Sequence, residues 1–167
     1  MCAIFGMFGL KPGEDMAALR RDALERSHRQ QHRGPDWRGV FADAGAILIH
    51  ERLAIVDPAS GAQPLCSRDG TLALAANGEI YNHRELRTGS DYAYTTGSDC
   101  EVINALYRAE GSAFLPRLNG IFAFALWDAM ARRYLIARDP IGVCPLYWGH
   151  DDAGRLCVAS EMKALVD

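Results

Sequence analysis

The chain has 167 residues, of which 49% are hydrophobic and 23% charged, so it fits one globular domain with a substantial core and does not comfortably fit two. A net charge of −3 without any cluster of basic residues excludes a nucleic-acid or anionic-membrane surface as its main function. No apolar run approaches the roughly 20 residues of a membrane span, and no signal peptide is apparent, so we expect a cytoplasmic protein.

The first half of the chain predicts short strands around one helix. A strand is expected over residues 3–9, and a helix follows over residues 14–31. Gly34 and Pro35 then break the helix. Further short strands are expected over three segments, residues 40–42, 46–50 and 53–56.

The second half adds more strands and one helix. A strand over residues 71–76 should end in a tight turn at Asn77 and Gly78. A helix over residues 98–108 begins with Ser98 and Glu101 at the spacing of a capping box. Residues 121–127 and 134–137 form a predicted hairpin, and strands follow over residues 143–148 and 156–159. Hairpin-joined strands indicate an α+β protein with two antiparallel sheets and helices on both outer faces.

The most reactive candidate is Cys2. Removal of Met1 would leave this cysteine with both a thiol and a free α-amine. An α-amine has a pKa of about 7.7–8.0, so it can serve as the base for its own side chain. Position alone favours an ordinary buried cysteine, and other segments must support the catalytic interpretation.

Five motifs provide that support, and they follow one another over the chain: residues 1–6 (MCAIFG), 32–36 (HRGPD), 51–57 (ERLAIVD), 77–83 (NGEIYNH) and 96–101 (TGSDCE). In this order they resemble the class II glutamine amidotransferases, in particular the glutaminase domain of bacterial B-type, glutamine-hydrolysing asparagine synthetases. The resemblance extends through residues 120–128, 138–142 and 159–165. It implies an N-terminal-nucleophile hydrolase fold, a four-layer α/β/β/α sandwich with antiparallel sheets.

The resemblance also implies roles for single residues. Cys2 would be the nucleophile, and the Asn77 side-chain amide and the Gly78 N–H would form the oxyanion hole. Arg52 would bind the α-carboxylate of glutamine, while Glu79 and Asp99 would bind its α-ammonium. The rest of the pocket wall would come from the backbone after Arg52, namely Leu53, Ala54, Ile55 and Val56.

Each of these residues also has a structural alternative. Arg52 alone suggests a surface ion pair, and Asp99 alone suggests a charge that complements a helix dipole. Glu79 fits a solvated turn, and Asn77 with Gly78 fits a plain tight turn.

The implied reaction is hydrolysis of glutamine to glutamate and ammonia through a γ-glutamyl thioester on Cys2. We expect residues 1–167 to form this domain, shortened at its C-terminal end, with the ammonia passing to a synthetase domain that converts aspartate to asparagine. No cofactor is expected for the glutaminase domain; ATP and Mg²⁺ belong to the synthetase domain, which this sequence lacks. The resemblance allows a homodimer.

Two other functions stay open. The domain could serve another acceptor, in amino-sugar or phosphoribosylamine synthesis, although residues 77–83 favour the asparagine branch. It could also be a glutamine-binding module without turnover, an interpretation that retention of Met1 would favour.

The remaining candidates carry less weight. His28 and His32 have helical spacing but no acidic third metal ligand, and His50 and His83 show no signature of a Cys–His dyad. Cys100 is expected to be a buried structural thiol. Five aromatic residues are expected in the core: Phe122, Phe124, Trp127, Tyr147 and Trp148.

Overall fold

The protein is described by a computed structural model that covers residues 1–54, 57 and 59–166. Its strands, in chain order, are β1 (Ala3–Phe8), β2 (Trp37–Ala42), β3 (Ala46–Arg52), β4 (Leu65–Cys66), β5 (Leu72–Ile80), β6 (Gly120–Asp128), β7 (Arg133–Arg138), β8 (Tyr147–His150) and β9 (Leu156–Ala159). Its α-helices are α1 (Met16–His28), α2 (His83–Arg87) and α3 (Val102–Glu110). Short 3₁₀ helices cover Gln31–Arg33, Asp99–Glu101, Gly111–Arg117 and Met162–Ala164.

The strands form two antiparallel sheets. The first sheet has the order β2-β3-β1-β9-β8, and the second has the order β4-β5-β6-β7. Alternation along β1 shows how the layers stack. Ile4 and Phe8 pack between the two sheets, whereas Phe5 and Met7 pack on the opposite face with Leu19 and Ala23 of α1.

A third cluster fills the space between the second sheet and the helices on its outer face. It combines Leu74 and Phe124 of the sheet with Leu86 of α2 and Ile103 of α3. The layers are therefore α1, first sheet, second sheet, then α2 and α3, which confirms the predicted α/β/β/α sandwich. Within the described ranges, no helix combines the length and the apolar character needed to cross a membrane.

The first strand and the hairpin of β6 and β7 are where the sequence predicted them. The predicted turn at Asn77 and Gly78 is wrong, because β5 continues to Ile80 and Gly78 pairs with Phe122 of β6. Gly78 has a φ of +146°, and a Cβ atom there would lie 2.1 Å from the Ile121 carbonyl oxygen. Glycine is required by the close approach of two strands, and the chain does not turn here.

The predicted capping box is also wrong. Ser98 makes no capping hydrogen bond, a 3₁₀ helix covers Asp99–Glu101, and α3 begins only at Val102. The Glu101 carboxylate instead accepts hydrogen bonds from the N–H and hydroxyl groups of Thr95 and Thr96. This buried carboxylate thus holds the segment that precedes it.

Two strand predictions and two core predictions need correction. The strand expected over residues 53–56 is absent at Leu53 and Ala54, because β3 ends at Arg52, and its last two residues lie outside the described residues. The strand expected over residues 143–148 lies at Tyr147–His150 instead.

Trp148 is 69% exposed and Tyr147 is 39% exposed, so neither belongs to the core. β8 is the edge strand of the first sheet, which leaves these rings partly uncovered.

Candidate active site

The Cys2 side chain lies immediately before β1, beside the chain that leaves β3. The Leu53 N–H donates to Cys2 Sγ over 3.3 Å, and the thiol donates to the Leu53 carbonyl oxygen over 3.5 Å. Burial raises the pKa of the Cys2 thiol, and the Leu53 N–H, the chain's terminal ammonium and Arg52 offset this only partly. The thiol is therefore protonated at neutral pH, so its activation needs a base.

The backbone that carries Cys2 is fixed by side chains from elsewhere in the fold. Arg33 Nε donates to the Cys2 carbonyl oxygen over 3.1 Å, and Arg33 pairs with Glu161 over 3.3 Å. Two residues further on, the Gln30 amide donates to the Ile4 carbonyl oxygen over 2.7 Å, and Ser160 Oγ accepts the Ile4 N–H over 3.0 Å. These bonds fix the position of the thiol relative to the rest of the pocket.

Arg52 is the last residue of β3 and is 7% exposed. Its Nη2 donates to the Asp57 carbonyl oxygen over 2.6 Å. The Asp57 carboxylate accepts hydrogen bonds from Ser60 and, over 2.8 Å, from the Gly97 N–H. The guanidinium is thus oriented by a turn that is itself tied to residues 96–101.

Asn77 and Gly78 lie on β5 at the opposite wall of this pocket. Asn77 is 1% exposed, and neither atom of its side-chain amide has a hydrogen-bond partner among the residues described. Phe122 pairs with Gly78 across β5 and β6. Its N–H donates to the Asp139 carboxylate, and its carbonyl oxygen accepts the Asp139 N–H. Because backbone groups alternate in direction along an antiparallel pair, the Gly78 N–H points away from β6 and toward the pocket.

The acidic residues complete the wall. Asp99 is 6% exposed, and its Oδ2 accepts the Ile80 N–H over 2.7 Å. Glu79 is exposed at the rim. The pocket thus brings together seven of the predicted site residues: Cys2, Arg52, Leu53, Asn77, Gly78, Glu79 and Asp99. Ala54 donates its N–H to Asp36 outside the lining, and Ile55 and Val56 lie outside the described residues.

A profile of the glutamine amidotransferase domain matches residues 1–167 of the chain. The chain belongs to this family. It is 56% identical over 168 residues to the glutamine-hydrolyzing asparagine synthetase B of Escherichia coli K12, an alignment that covers 99% of this chain and 30% of that protein. It is 49% identical to a glutamine-hydrolyzing asparagine synthetase of Sandersonia aurantiaca, covering 100% of this chain and 32% of that protein. The chain thus spans about a third of the length of these relatives.

The amidotransferase domain has further residues in its pocket that the sequence did not single out as site residues. His50, Gln63 and Ser98 contribute to the lining, as do Met1 and Cys100. Gln63 lies in no motif that we distinguished. Gln30, Arg33 and Glu161, which anchor the start of the chain, were also missed as functional residues, although Arg33 and Glu161 lie in motifs that carried the resemblance.

The buried histidine and cysteine in the pocket are uncharged at neutral pH. Burial lowers the pKa of His50 to about 4, and its Nε2 lies 3.0 Å from the Ala76 carbonyl oxygen. Burial and the neighbouring Asp99 raise the pKa of Cys100 well above its ordinary value. A histidine with so low a pKa accepts a proton only weakly, and a protonated thiol is not a base, so both residues are poorly suited to deprotonate Cys2.

The histidines considered as a metal pair have separate partners. His28 Nδ1 lies 3.1 Å from Arg38 Nη2, and His32 Nε2 lies 3.1 Å from Glu161 Oε1. In the part of the chain that the structure describes, no three residues of the metal-binding types come together.

Proposed function

We propose that this domain hydrolyses glutamine to glutamate and ammonia, with Cys2 as the nucleophile at an N-terminus from which Met1 has been removed. The observation that carries the proposal is the pocket itself, which holds the Cys2 thiol, the Arg52 guanidinium, the Asp99 carboxylate and the Asn77 amide, to which none of the described residues bonds. These are the groups that a glutamine side-chain amide and its two charged α-substituents require.

In the proposed binding mode, Arg52 pairs with the α-carboxylate of glutamine. Asp99 and Glu79 accept hydrogen bonds from its α-ammonium. Leu53, directly after Arg52, contributes to the remaining wall. Ile55 and Val56, to which the resemblance gives the same role, lie outside the described residues. The side-chain amide then points toward Cys2, where Asn77 and Gly78 can donate to its oxygen.

In the proposed reaction, the α-amine of Cys2 takes the thiol proton while Sγ bonds to the amide carbon of glutamine. The carbonyl oxygen becomes an oxyanion that accepts hydrogen bonds from the Asn77 amide and the Gly78 N–H. Cleavage of the C–N bond transfers the proton to the leaving nitrogen, which departs as ammonia and leaves a γ-glutamyl thioester. Water then cleaves the thioester, which yields glutamate and restores the thiol.

We further propose that the ammonia is used by a synthetase domain that forms asparagine from aspartate with ATP and Mg²⁺. Support comes from the relatives, which are glutamine-hydrolyzing asparagine synthetases about three times as long as this chain. In this proposal residues 1–167 are the glutaminase domain and need no cofactor of their own, and a homodimer is compatible with it. An amino-sugar or phosphoribosylamine acceptor is the alternative.

The test is to incubate the purified chain with glutamine and to measure glutamate, with intact mass to establish the loss of Met1. We expect Cys2→Ala to lower turnover by a factor of at least about 10³, because Cys100, the other thiol that lines the pocket, does not ionise near neutral pH. Cys66→Ala is the matched control, since Cys66 is exposed and outside the pocket, and it should keep wild-type turnover.

The outcomes separate the candidate functions. Turnover that survives Cys2→Ala would contradict the nucleophile assignment. A folded chain without Met1 that binds glutamine but never hydrolyses it would instead support a binding module.

A further inference from the structure

The edge of β5 that faces the pocket lacks a strand partner over its second half. β4 consists only of Leu65 and Cys66, which pair with Leu74 and Ala73. Among the residues described, no strand pairs with β5 on this side beyond Leu74. Backbone groups at such an edge must find other partners, because a buried N–H or carbonyl without one is costly.

Two buried side chains supply those partners at Ala76. Gln63 Oε1 accepts the Ala76 N–H over 2.7 Å, and His50 Nε2 lies 3.0 Å from the Ala76 carbonyl oxygen. A carbonyl can only accept, so His50 must carry its hydrogen on Nε2. His50 is 1% exposed and Gln63 is 9% exposed, which protects both bonds from competition by water.

The same edge is held again two residues beyond Gly78. There the Ile80 N–H donates to Asp99 Oδ2 over 2.7 Å. Gly78 thus lies between two anchored residues, Ala76 and Ile80, and its own N–H points into the pocket. A longer β4 would also satisfy Ala76, but it would approach the Gly78 N–H and compete for it. The side chains of Gln63, His50 and Asp99 therefore bind this edge of β5 and leave the Gly78 N–H available to a ligand.

We propose that His50 and Gln63 are positioning residues that replace a strand partner at Ala76 and thereby aim Asn77 and Gly78 at the oxyanion. This inference rests on the proposed glutamine hydrolysis and deepens it. In the proposed reaction the contacts to the reacting atoms come from Cys2, Asn77 and Gly78, and neither of these two side chains is needed there. Each acts through a backbone group of Ala76, the residue that precedes Asn77 in the chain.

The variants His50→Met and Gln63→Met remove the bonding group and keep a side chain of similar length. We expect each to lower kcat by about 30-fold or more, with the KM for glutamine changed less than about threefold, because the oxyanion donors matter most in the transition state. His50→Gln restores an N–H donor and should recover most of the lost kcat. Leu48→Val is the matched control on the same strand and face; it should lower the melting temperature and keep kcat.

A second rate distinguishes positioning from general damage to the site. Alkylation of Cys2 by iodoacetamide needs the thiolate but no oxyanion donor, so we expect its rate to stay within about threefold of wild type in both methionine variants. Hydrogen–deuterium exchange of the Ala76 amide reports the position of the strand without any turnover. We expect this exchange to be at least about tenfold faster in Gln63→Met.

The outcomes are distinct. If the wild type hydrolyses glutamine and both methionine variants keep its kcat, or if alkylation falls in step with kcat, the positioning role is overturned while the proposed function stands. If the wild type does not hydrolyse glutamine, the proposed function fails. In that case hydrogen–deuterium exchange of the Ala76 amide still shows whether the side chains hold the strand. An exchange rate in Gln63→Met equal to that of the wild type overturns the inference.

Discussion

The Asn77 side chain is buried in the pocket, and no described residue bonds to its amide oxygen or nitrogen. An unsatisfied buried amide costs about 1–3 kcal/mol of stability. We therefore expect Asn77→Ala to lower kcat for glutamine hydrolysis by about 10²–10³, through loss of an oxyanion donor, without lowering the melting temperature. Steady-state kinetics and thermal unfolding of the same preparation test both parts.

Asn104 offers the matched control for that substitution. It is also a fully buried asparagine, but its Nδ2 donates to the Leu65 carbonyl oxygen over 2.9 Å on the far side of the second sheet. Asn104→Ala should therefore lower the melting temperature and leave kcat near the wild-type value. An Asn77→Ala protein that loses as much stability as Asn104→Ala would indicate that Asn77 is a structural residue.

At the scale of elements, the Glu51 carboxylate joins α1, β2 and β3. Its Oε1 accepts the Ser27 hydroxyl over 2.7 Å and Arg38 Nε over 2.6 Å, and its side chain is 1% exposed. Removing one partner of a buried ion pair leaves the other without its counter-charge. We expect Glu51→Gln to lower the free energy of unfolding by about 1–3 kcal/mol, as measured by urea denaturation.

An ion pair along α1 provides the comparison. Asp22 and Arg26 pair over 3.0 Å, and the Asp22 side chain is 41% exposed whereas the Arg26 side chain is 11% exposed. Asp22→Asn should cost less than about 1 kcal/mol, because water solvates the exposed Asp22 carboxylate and screens its charge. Equal losses in the two variants would show that Glu51 does not hold the three elements together.

The sequence could predict the sandwich because alternation and hairpin spacing are local signals. The first strand, the β6–β7 hairpin and the antiparallel class all follow from them. The extent of β5 could not be predicted, since Asn77 and Gly78 usually mark turns and only contact with β6 keeps the strand going. The exposure of Trp148 likewise depends on its edge position in the sheet, which no local pattern reveals.

The candidate site was predictable to the extent that its residues lie in motifs. Cys2, Arg52 and Asp99 were expected together, and one pocket holds them. The contacts of His50 and Gln63 with Ala76 were not predictable, because they exist only where β4 stops short of the pocket. A contact that replaces a missing strand leaves no pattern in the sequence.

At the scale of the whole molecule, the pocket exists only when both sheets are assembled. Cys2 immediately precedes β1 and Arg52 ends β3, both strands of the first sheet. Asn77 and Gly78 lie in the second sheet, and Asp99 lies in the 3₁₀ helix before α3. These segments are separated by up to 97 positions in the numbering, from residue 2 to residue 99. Glutamine binding should therefore be lost together with global unfolding, and conditions that destabilise the sandwich matter for activity.

Acid is such a condition, because two kinds of buried group resist protonation. Burial opposes the ionisation of Asp139, yet N–H groups of Val143, Cys144, Gly142 and Phe122 keep its pKa below the ordinary value. Burial, and to a smaller extent the Arg52 charge, lower the pKa of His50 to about 4. Both groups bind protons more readily in the unfolded chain. Their contribution to the free energy of unfolding is therefore complete at neutral pH and is lost as the pH falls.

His50 and Asp139 titrate in different pH ranges, so the effect of His50 can be tested alone. Between the ordinary histidine pKa of about 6.5 and the folded value of about 4, the unfolded chain gains a proton at residue 50 that the folded chain refuses. We expect this difference to remove up to about 3 kcal/mol of unfolding free energy over that range, with Asp139 contributing at lower pH. Urea denaturation of wild type and His50→Gln from pH 7 to pH 4 measures it. The two stability curves should converge or cross as pH falls, because glutamine does not titrate; curves that stay parallel would show that His50 is not the acid-sensitive group.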